Sequence, residues 1–327
     1  MKGHIKMELA LTIFFFALGI VFIVKGGDFF VDAASWIAEI SGIPKLIIGA
    51  TVVSLATTLP EMIVSVMAAT QDKVDMSIGN AVGSVTANLG LILAIALICM
   101  PGVIKRNDYL MKSVMMVSAS VIIAVCGIFG EINVVMCIIL LLIFVCFIFE
   151  NINSAKKSIV PREEDENFIN LKSRRRVIEN VVKFVLGTAG IVLGADMLVD
   201  NGSKLALAIG ISERIIGVTL VAVGTSLPEL ITTITAIVKK QSALSVGNIL
   251  GANILDLTLI MPIASIISGK ALPVSLSSAM IDLPACLLVG VIAVVPAMIW
   301  SKFSRAQGII LLTVYAAYVV VTSCVVL

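Results

Sequence analysis

Long apolar runs, separated by short polar breaks, dominate the chain. Ten of them are long enough to cross a bilayer as a helix, which takes about 20 mostly apolar residues. The first is predicted to continue as helix toward Ile40, and the sixth toward Ile209. We therefore predict an all-α polytopic membrane protein with ten transmembrane helices, whose cores lie at 8–24, 44–70, 76–100, 109–129, 131–150, 179–199, 212–238, 244–268, 275–299 and 306–327.

The composition agrees with this pattern and excludes several chemistries. Only 13% of the residues are charged and 59% are hydrophobic, whereas soluble domains carry about 25% charged residues. The six cysteines lie in apolar surroundings and form no CxxC pair, which argues against a disulfide framework or a thiolate metal site. The single histidine, His4, leaves little scope for histidine-based catalysis.

One strongly polar segment divides the chain, and it predicts the topology. It runs from Asn153 to Asn180 and is rich in lysine and arginine. Basic loops stay on the cytoplasmic side of a membrane. We expect a multi-pass protein of the cell membrane with a cytoplasmic loop over 154–177 and both termini outside. This loop separates a first five-helix repeat over 1–153 from a second over 178–327.

The two halves are related by an internal repeat with a shift of 168 residues, as from Glu61 to Glu229. Each half holds five predicted spans, an odd number, so the second half enters the membrane in the opposite orientation. Inverted repeats with interrupted helices are typical of secondary transporters. The matching pairs include Asp28 and Asp196, Asp32 and Asp200, Gly49 and Gly217, Thr51 and Thr219, Thr57 and Thr225, Pro60 and Pro228, Asn80 and Asn248, and Asn88 and Asp256.

Three acids lie inside apolar runs: Glu61, Glu229 and Asp256. A charged residue at the centre of a bilayer costs about 2.5–3.5 kcal/mol on insertion scales, so such residues usually mark an ion or proton path. A lone acid could instead be hydrogen-bonded between helices for structural reasons. Two glutamates at repeat-equivalent positions favour a binding site.

Each glutamate follows a proline that is predicted to interrupt its helix. Pro60 lacks an N–H group for the carbonyl of Ala56, and Pro228 lacks one for the carbonyl of Gly224. Such carbonyls need a partner inside a membrane, and a hard cation is one.

Hydroxyl groups precede the acids by one helical turn, at Thr57 and Thr225. On the following helix, Ser84 and Asn88 share a face, and Ala252 and Asp256 are their counterparts. All candidate ligands are oxygens, which favours Ca²⁺, Na⁺ or Mg²⁺ over transition metals. Ca²⁺ accepts a flexible shell of about six to eight oxygens, whereas Mg²⁺ keeps its waters. Two ionised glutamates match one Ca²⁺ or about two Na⁺, and mutually exclusive occupancy suits an antiporter.

The doubled motif resembles the two α-repeats of the sodium/calcium exchanger family, within the cation/calcium antiporter superfamily. The segments are GATVVSLATTLPE with GNAVGSVTANLG, and GVTLVAVGTSLPE with GNILGANILDLT. The resemblance covers nearly the whole chain and implies Ca²⁺ and Na⁺ as transported ions, no cofactor, no nucleic acid and no obligatory protein partner. It implies a metal site of Glu61 and Glu229 as main Ca²⁺ ligands, supported by Thr57, Thr225, Asn88 and Asp256, with Ser84, Thr58 and Ser226 lining flanking Na⁺ positions.

Ala252 departs from the family pattern, because relatives carry a serine there that binds an outer Na⁺. This substitution leaves the stoichiometry open. The proton/calcium branch of the superfamily carries glutamates where this chain has Gly83 and Gly251, so Na⁺ is the favoured coupling ion. H⁺ coupling, or K⁺ co-transport through Asp256, remains an alternative.

Two further classes of function fit the sequence less well. A cation channel would need a continuous pore, whereas inverted halves around one acidic site suit alternating access. A membrane enzyme is disfavoured because the chain contains neither HExxH nor GxSxG. The repeated aspartates at 28, 32, 196 and 200 are expected to serve structure or gating rather than ion binding.

Overall fold

A computed structural model describes residues 2–103, 106–158, 173–209 and 224–325. The described chain is almost entirely helical. Its helices, numbered here in chain order, are α1 (Lys2–Ser41), α2 (Lys45–Thr70), α3 (Val74–Cys99), α4 (Arg106–Phe129), α5 (Val134–Ser158), α6 (Arg174–Ala208), α7 (Leu227–Val238), α8 (Ser242–Ser268), α9 (Ser278–Trp300) and α10 (Arg305–Val325).

Nine helices of the described chain are long and apolar enough to cross a membrane. They confirm the prediction of a polytopic helical membrane protein. The helix α7 is apolar but only 12 residues long, and residues 210–223, including Gly217 and Thr219, lie outside the described part. A count of ten spans therefore stays a prediction. The expected long helices are present: α1 has 40 residues and α6 has 35.

Within the described residues, four stretches of π-helix interrupt the α-geometry. Two of them begin at repeat-equivalent residues: Asn88–Leu93 within α3 and Asp256–Ile260 within α8. The others are Gly49–Val53 in α2 and Ser278–Asp282 in α9. A π-turn inserts an extra residue and often occurs at functional sites, because it redirects side chains that a regular helix would align.

The predicted helix break at Pro60 is wrong, because α2 continues through this residue to Thr70. The local departure from α-geometry lies earlier, at Gly49–Val53. The second half behaves differently. Thr225 and Ser226 form a turn and α7 begins at Leu227. Pro228 therefore sits in the first turn of a helix, where its missing N–H is not needed.

The predicted loop over 154–177 is helical at both ends. The helix α5 extends to Ser158, whose hydroxyl donates to the carbonyl of Ser154 at 2.7 Å. The helix α6 begins at Arg174, because the side chain of Ser173 caps it by accepting from the backbone N–H of Arg176 at 3.4 Å. The rest of the predicted loop, 159–172, lies outside the described residues.

The helices α1 and α6 pack closely along their length, with glycines on both sides of the contact. A Cβ atom added to Gly26 would lie 2.8 Å from the backbone nitrogen of Ile191, and one added to Gly187 would lie 2.6 Å from that of Phe30. Small residues of this kind let membrane helices approach backbone to backbone. Nearby, the rings of Phe30 and Phe184 stack with centroids 4.9 Å apart.

Two short antiparallel strand pairs join connections from opposite halves. They are β1 (Gly102–Val103) with β4 (Lys302–Phe303), and β2 (Glu131–Ile132) with β3 (Leu272–Pro273). One end of the molecule thus holds the α3–α4 and α9–α10 connections together. The other end holds the α4–α5 and α8–α9 connections.

Candidate functional site

The centre of the molecule is formed where α8 crosses α2. Two glycines of α8 permit this contact. A Cβ atom on Gly251 would lie 2.5 Å from the carbonyl oxygen of Ala50, and one on Gly247 would collide with the backbone of Leu46. The close approach brings the first half of the chain against the second at the level of their repeated polar motifs.

Glu61 of α2 and Glu229 of α7 face this centre from the two halves. Each is only 1% exposed. The carboxyl group of Glu61 lies near enough to those of Glu229 and Asp256 to interact with them electrostatically, and so does Asp256 with Glu229. The structure therefore brings the three predicted acids together from α2, α7 and α8.

Many oxygens of the predicted site residues have no hydrogen-bond partner among the described residues. Buried polar atoms are normally more than 90% satisfied, so such a concentration calls for a ligand. Carboxylates, amides and hydroxyls are donor atoms suited to a hard cation. The unpartnered atoms are both Oε atoms of Glu61, Oε2 of Glu229, Oδ1 of Asp256, Oδ1 of Asn88, and the hydroxyls of Ser84 and Ser226.

Hydroxyl groups of the first half reach acceptors of the second. Thr58 Oγ1 donates to Glu229 Oε1 at 3.5 Å, and Thr57 Oγ1 donates to Asn248 Oδ1 at 3.3 Å. The Thr57 hydroxyl also lies beside the Glu229 carboxyl group. These two threonines, buried on α2, thus help to form the surroundings of the opposite glutamate.

The π-turns bring a further contact across the halves. At the start of the π-turn in α3, Asn88 Nδ2 donates to Asn253 Oδ1 of α8 at 3.1 Å. Its own Oδ1 is buried and has no hydrogen-bond partner among the described residues. Asp256 occupies the equivalent place at the start of the π-turn in α8. The structure thus places both predicted residues where the helix geometry changes.

Two asparagines that the sequence analysis did not include in the site position the backbone at Glu61 and Glu229. Asn80 Nδ2 donates to the backbone carbonyl of Glu61 at 3.1 Å and to Ser65 Oγ at 2.9 Å. Asn248 Nδ2 donates to Thr232 Oγ1 at 3.0 Å. That hydroxyl in turn donates to the carbonyl of Glu229 at 3.0 Å.

The repeat in the sequence could have identified these two asparagines. Both asparagines belong to a Gly-Asn pair that recurs at repeat-equivalent positions, 79–80 and 247–248. Asn253 had no such signal, because its equivalent in the first half is Val85.

Two further positions from the sequence analysis, Thr225 and Ala252, contribute less to the buried centre. Thr225 is half-buried in the turn that precedes α7. Ala252 is fully buried in α8 and offers no oxygen from its side chain. Glu61, Glu229 and Asp256 are neighbours here, but within the described ranges no three histidine, cysteine, aspartate or glutamate side chains lie close enough together to hold a metal ion by themselves. A cation at this centre therefore needs hydroxyl, amide and backbone oxygens in addition to its carboxylates.

Comparison with known proteins assigns the chain to a family. The profile of the sodium/calcium exchanger protein family matches twice, at residues 11–152 and 180–323. The chain belongs to the sodium/calcium exchanger family. Members of this family are transporters, and the site just described draws residues from both matched segments.

Individual relatives of this exchanger family member cover almost its full length. It is 33% identical over 314 residues to the uncharacterized membrane protein MJ0091 of Methanocaldococcus jannaschii. This alignment covers 94% of this chain and 96% of MJ0091. It is 30% identical over an alignment of 345 residues to the sodium/calcium exchanger MaX1 of Methanosarcina acetivorans. That alignment covers 93% of this chain and 96% of MaX1.

The fold of this exchanger family member also matches solved structures. A structure of the sodium-calcium exchanger NCX_Mj, soaked with 10 mM Na⁺ and zero Ca²⁺, superimposes with a TM-score of 0.79 at 30% sequence identity. The match covers 95% of this chain and 99% of that one.

Proposed function

We propose that the protein is a secondary antiporter that exchanges Ca²⁺ for Na⁺ at the centre formed by α2, α3, α7 and α8. One observation carries this proposal: two glutamates at repeat-equivalent positions, each 1% exposed, converge with carboxylate oxygens that have no hydrogen-bond partner in the described chain. An unpaired buried carboxylate is costly, and a bound cation compensates that cost.

The site residues divide into two roles. Glu61 and Glu229 supply the charge for Ca²⁺, and Thr57, Thr225, Asn88 and Asp256 supply further oxygens. The hydroxyls of Thr58, Ser84 and Ser226 line positions for Na⁺. Two ionised glutamates balance one Ca²⁺ or about two Na⁺, so either ion displaces the other and exchange follows.

The two halves are proposed to be inverted five-helix repeats that expose the site alternately to each side of the membrane. The strand pairs support inversion. β1 follows the third helix of the first half, yet it pairs with β4, which follows the fourth helix of the second half. In inverted repeats, these two connections lie on the same side. From the lysines and arginines between 154 and 177, we propose that this segment is cytoplasmic and that both termini lie outside.

Ion flux in proteoliposomes tests this function. Purified protein is reconstituted, and ⁴⁵Ca²⁺ uptake is measured with an imposed outward gradient of Na⁺, of K⁺ or of protons, one at a time. We expect uptake to require the Na⁺ gradient. Uptake driven by a proton gradient alone would assign the chain to H⁺/Ca²⁺ exchange, and uptake without any counter-ion gradient would indicate a channel.

A further inference from the structure

A cavity of about 300 Å³ lies away from the ion site, between the start of α2, the start of α8 and the loop that carries β4. Its volume is at the lower end of the range for small-molecule sites, about 300–1,000 Å³. Most of its wall is apolar, and the apolar lining includes Leu97, Met100, Tyr109, Ile237, Val246 and Phe303.

The wall of this cavity is firmly built. Tyr109 is buried and packs edge-on against Phe303, with ring centroids 5.3 Å apart. The strand pairing of Gly102 with Phe303 fixes the neighbouring backbone. A rigid, apolar wall of this kind fits an alkyl chain rather than a hydrated ion.

The polar groups of the cavity gather at one end and favour a negative charge. Lys45 is the only charged residue among its described lining residues. Its ammonium group donates one hydrogen bond to Gln241 Oε1 at 2.6 Å, and an ammonium group has three donors. Two remain for a ligand.

The first turn of α8 adds backbone donors beside this lysine. Its N-cap residue, Gln241, makes no side-chain capping bond. The N–H groups of Leu244 and Ser245 donate to the Gln241 carbonyl, and the first two residues of the helix, Ser242 and Ala243, line the cavity. The start of a helix attracts anions, because its unpaired N–H groups and its dipole both favour negative charge.

Ser245 supplies an independent indication of a ligand. It lines the cavity and is 2% exposed, and its hydroxyl has no hydrogen-bond partner in the described part of the chain. A buried hydroxyl without a partner is costly unless a ligand or water completes it. Its position, one turn inside the start of α8, places it next to the basic end.

We propose that this cavity binds an anionic amphiphile with a single alkyl chain, such as a fatty acid carboxylate. Its headgroup lies against Lys45, the first turn of α8 and Ser245, and its chain follows the apolar wall. The proposal does not depend on which ions the protein exchanges.

Photo-crosslinking tests the proposal on the full-length protein in lipid nanodiscs. The probe is a palmitate that carries a diazirine on its chain, and the labelled peptides are mapped by mass spectrometry. We expect labelling of peptides that contain Leu97, Met100 or Val246. Excess palmitate should compete, whereas hexadecanol, which has the chain without the charge, and acetate, which has the charge without the chain, should not.

Two variants and a control sharpen the result. Lys45→Gln should weaken labelling about tenfold, the effect of losing one charge-assisted hydrogen bond. Ala243→Phe, at an exposed position of the cavity wall, should block the cavity without disturbing the core. Lys270→Gln, which removes an exposed lysine outside the cavity lining, should label like the wild type. Equal competition by hexadecanol, or unchanged labelling in both cavity variants, would overturn the proposal.

Discussion

The ammonium group of Lys239, just after α7, lies 2.7 Å from the carboxylate of Asp32 in α1. The same group contacts Asp28 through its carboxylate at 3.3 Å and its backbone carbonyl at 2.9 Å. The repeat-equivalent position of Lys239 is occupied by Gln71. The clasp formed by Lys239, Asp28 and Asp32 therefore has no lysine at the equivalent position in the other half.

This one-sided clasp predicts that Lys239→Gln changes the balance between the two access states of the proposed exchange cycle. A partly exposed ion pair contributes up to about 1 kcal/mol, which corresponds to a roughly fivefold change in population. The apparent Na⁺ affinity, measured separately from each side of the membrane, should shift in opposite directions.

A double-mutant cycle with Asp32→Asn checks the assignment of the clasp. The second change should have little further effect once Lys239 is neutral. Lys183→Gln is the matched control, because its ion pair with Glu179 lies within one helix. If it shifts the affinities as much as Lys239→Gln does, the clasp is not the cause.

Neutralising either glutamate of the site should stop Ca²⁺ transport. Glu61→Gln and Glu229→Gln keep the shape of the side chain and remove one buried charge. Losing one partner of a buried charge interaction costs about 3–5 kcal/mol, so ⁴⁵Ca²⁺ uptake should fall at least about a hundredfold. Glu131→Gln, in the exposed part of β2, should transport normally. Wild-type uptake by either site variant would remove that glutamate from the site.

Restoring a hydroxyl at position 252 should strengthen the dependence of uptake on Na⁺. The side chain of Ala252 is fully buried in α8, one turn before Asp256. A serine there adds an oxygen at the flanking position, where the resemblance to the exchanger repeats implies one. The Na⁺ dependence of ⁴⁵Ca²⁺ uptake in Ala252→Ser should become steeper, whereas the buried control Ala264→Ser should match the wild type. An unchanged Na⁺ dependence in Ala252→Ser would contradict this role.

The repeated glycines should respond differently to alanine in the two halves. Gly251 packs against the backbone of α2, whereas no atom outside its own helix lies within 4 Å of a Cβ added to Gly83. Overpacking a tight contact costs about 1–3 kcal/mol. Gly251→Ala should therefore lower the midpoint of thermal unfolding in detergent. Gly83→Ala should leave it unchanged or raise it, because alanine favours helix. Equal effects would refute the asymmetric packing.

The sequence predicted the helical membrane fold and the three acids because both depend on residue type and spacing. Apolar runs report membrane spans directly, and a doubled motif marks positions that share an environment. The contact between Thr58 and Glu229, by contrast, joins residues 171 positions apart. Only the packing of α2 against the second half determines it.

Local geometry explains the features that were predicted wrongly or not predicted from the sequence. Pro60 was expected to break α2, but a helix held on several sides tolerates one missing hydrogen bond, and the irregular turn lies at Gly49–Val53 instead. The π-turns at Asn88 and Asp256 have no composition signal, since asparagine, glycine and threonine also occur in the regular part of α3. The asymmetry of the glycines was equally hidden, because Gly83 and Gly251 occupy equivalent positions of the repeat and the sequence does not show which atoms pack against each one.

Non-covalent contacts join the two halves independently of the covalent connection between them. They are the two strand pairs and the close packing of α1 against α6 at glycines such as Gly26 and Gly187. A gene cut between Ser158 and Ser173 would yield two polypeptides that each carry half of the ion site. Co-expressed, these fragments should reassemble and co-purify, and the joined pair should transport. Such complementation would mean that the contacts between the halves, rather than the connection from Ser158 to Ser173, hold the folded protein together.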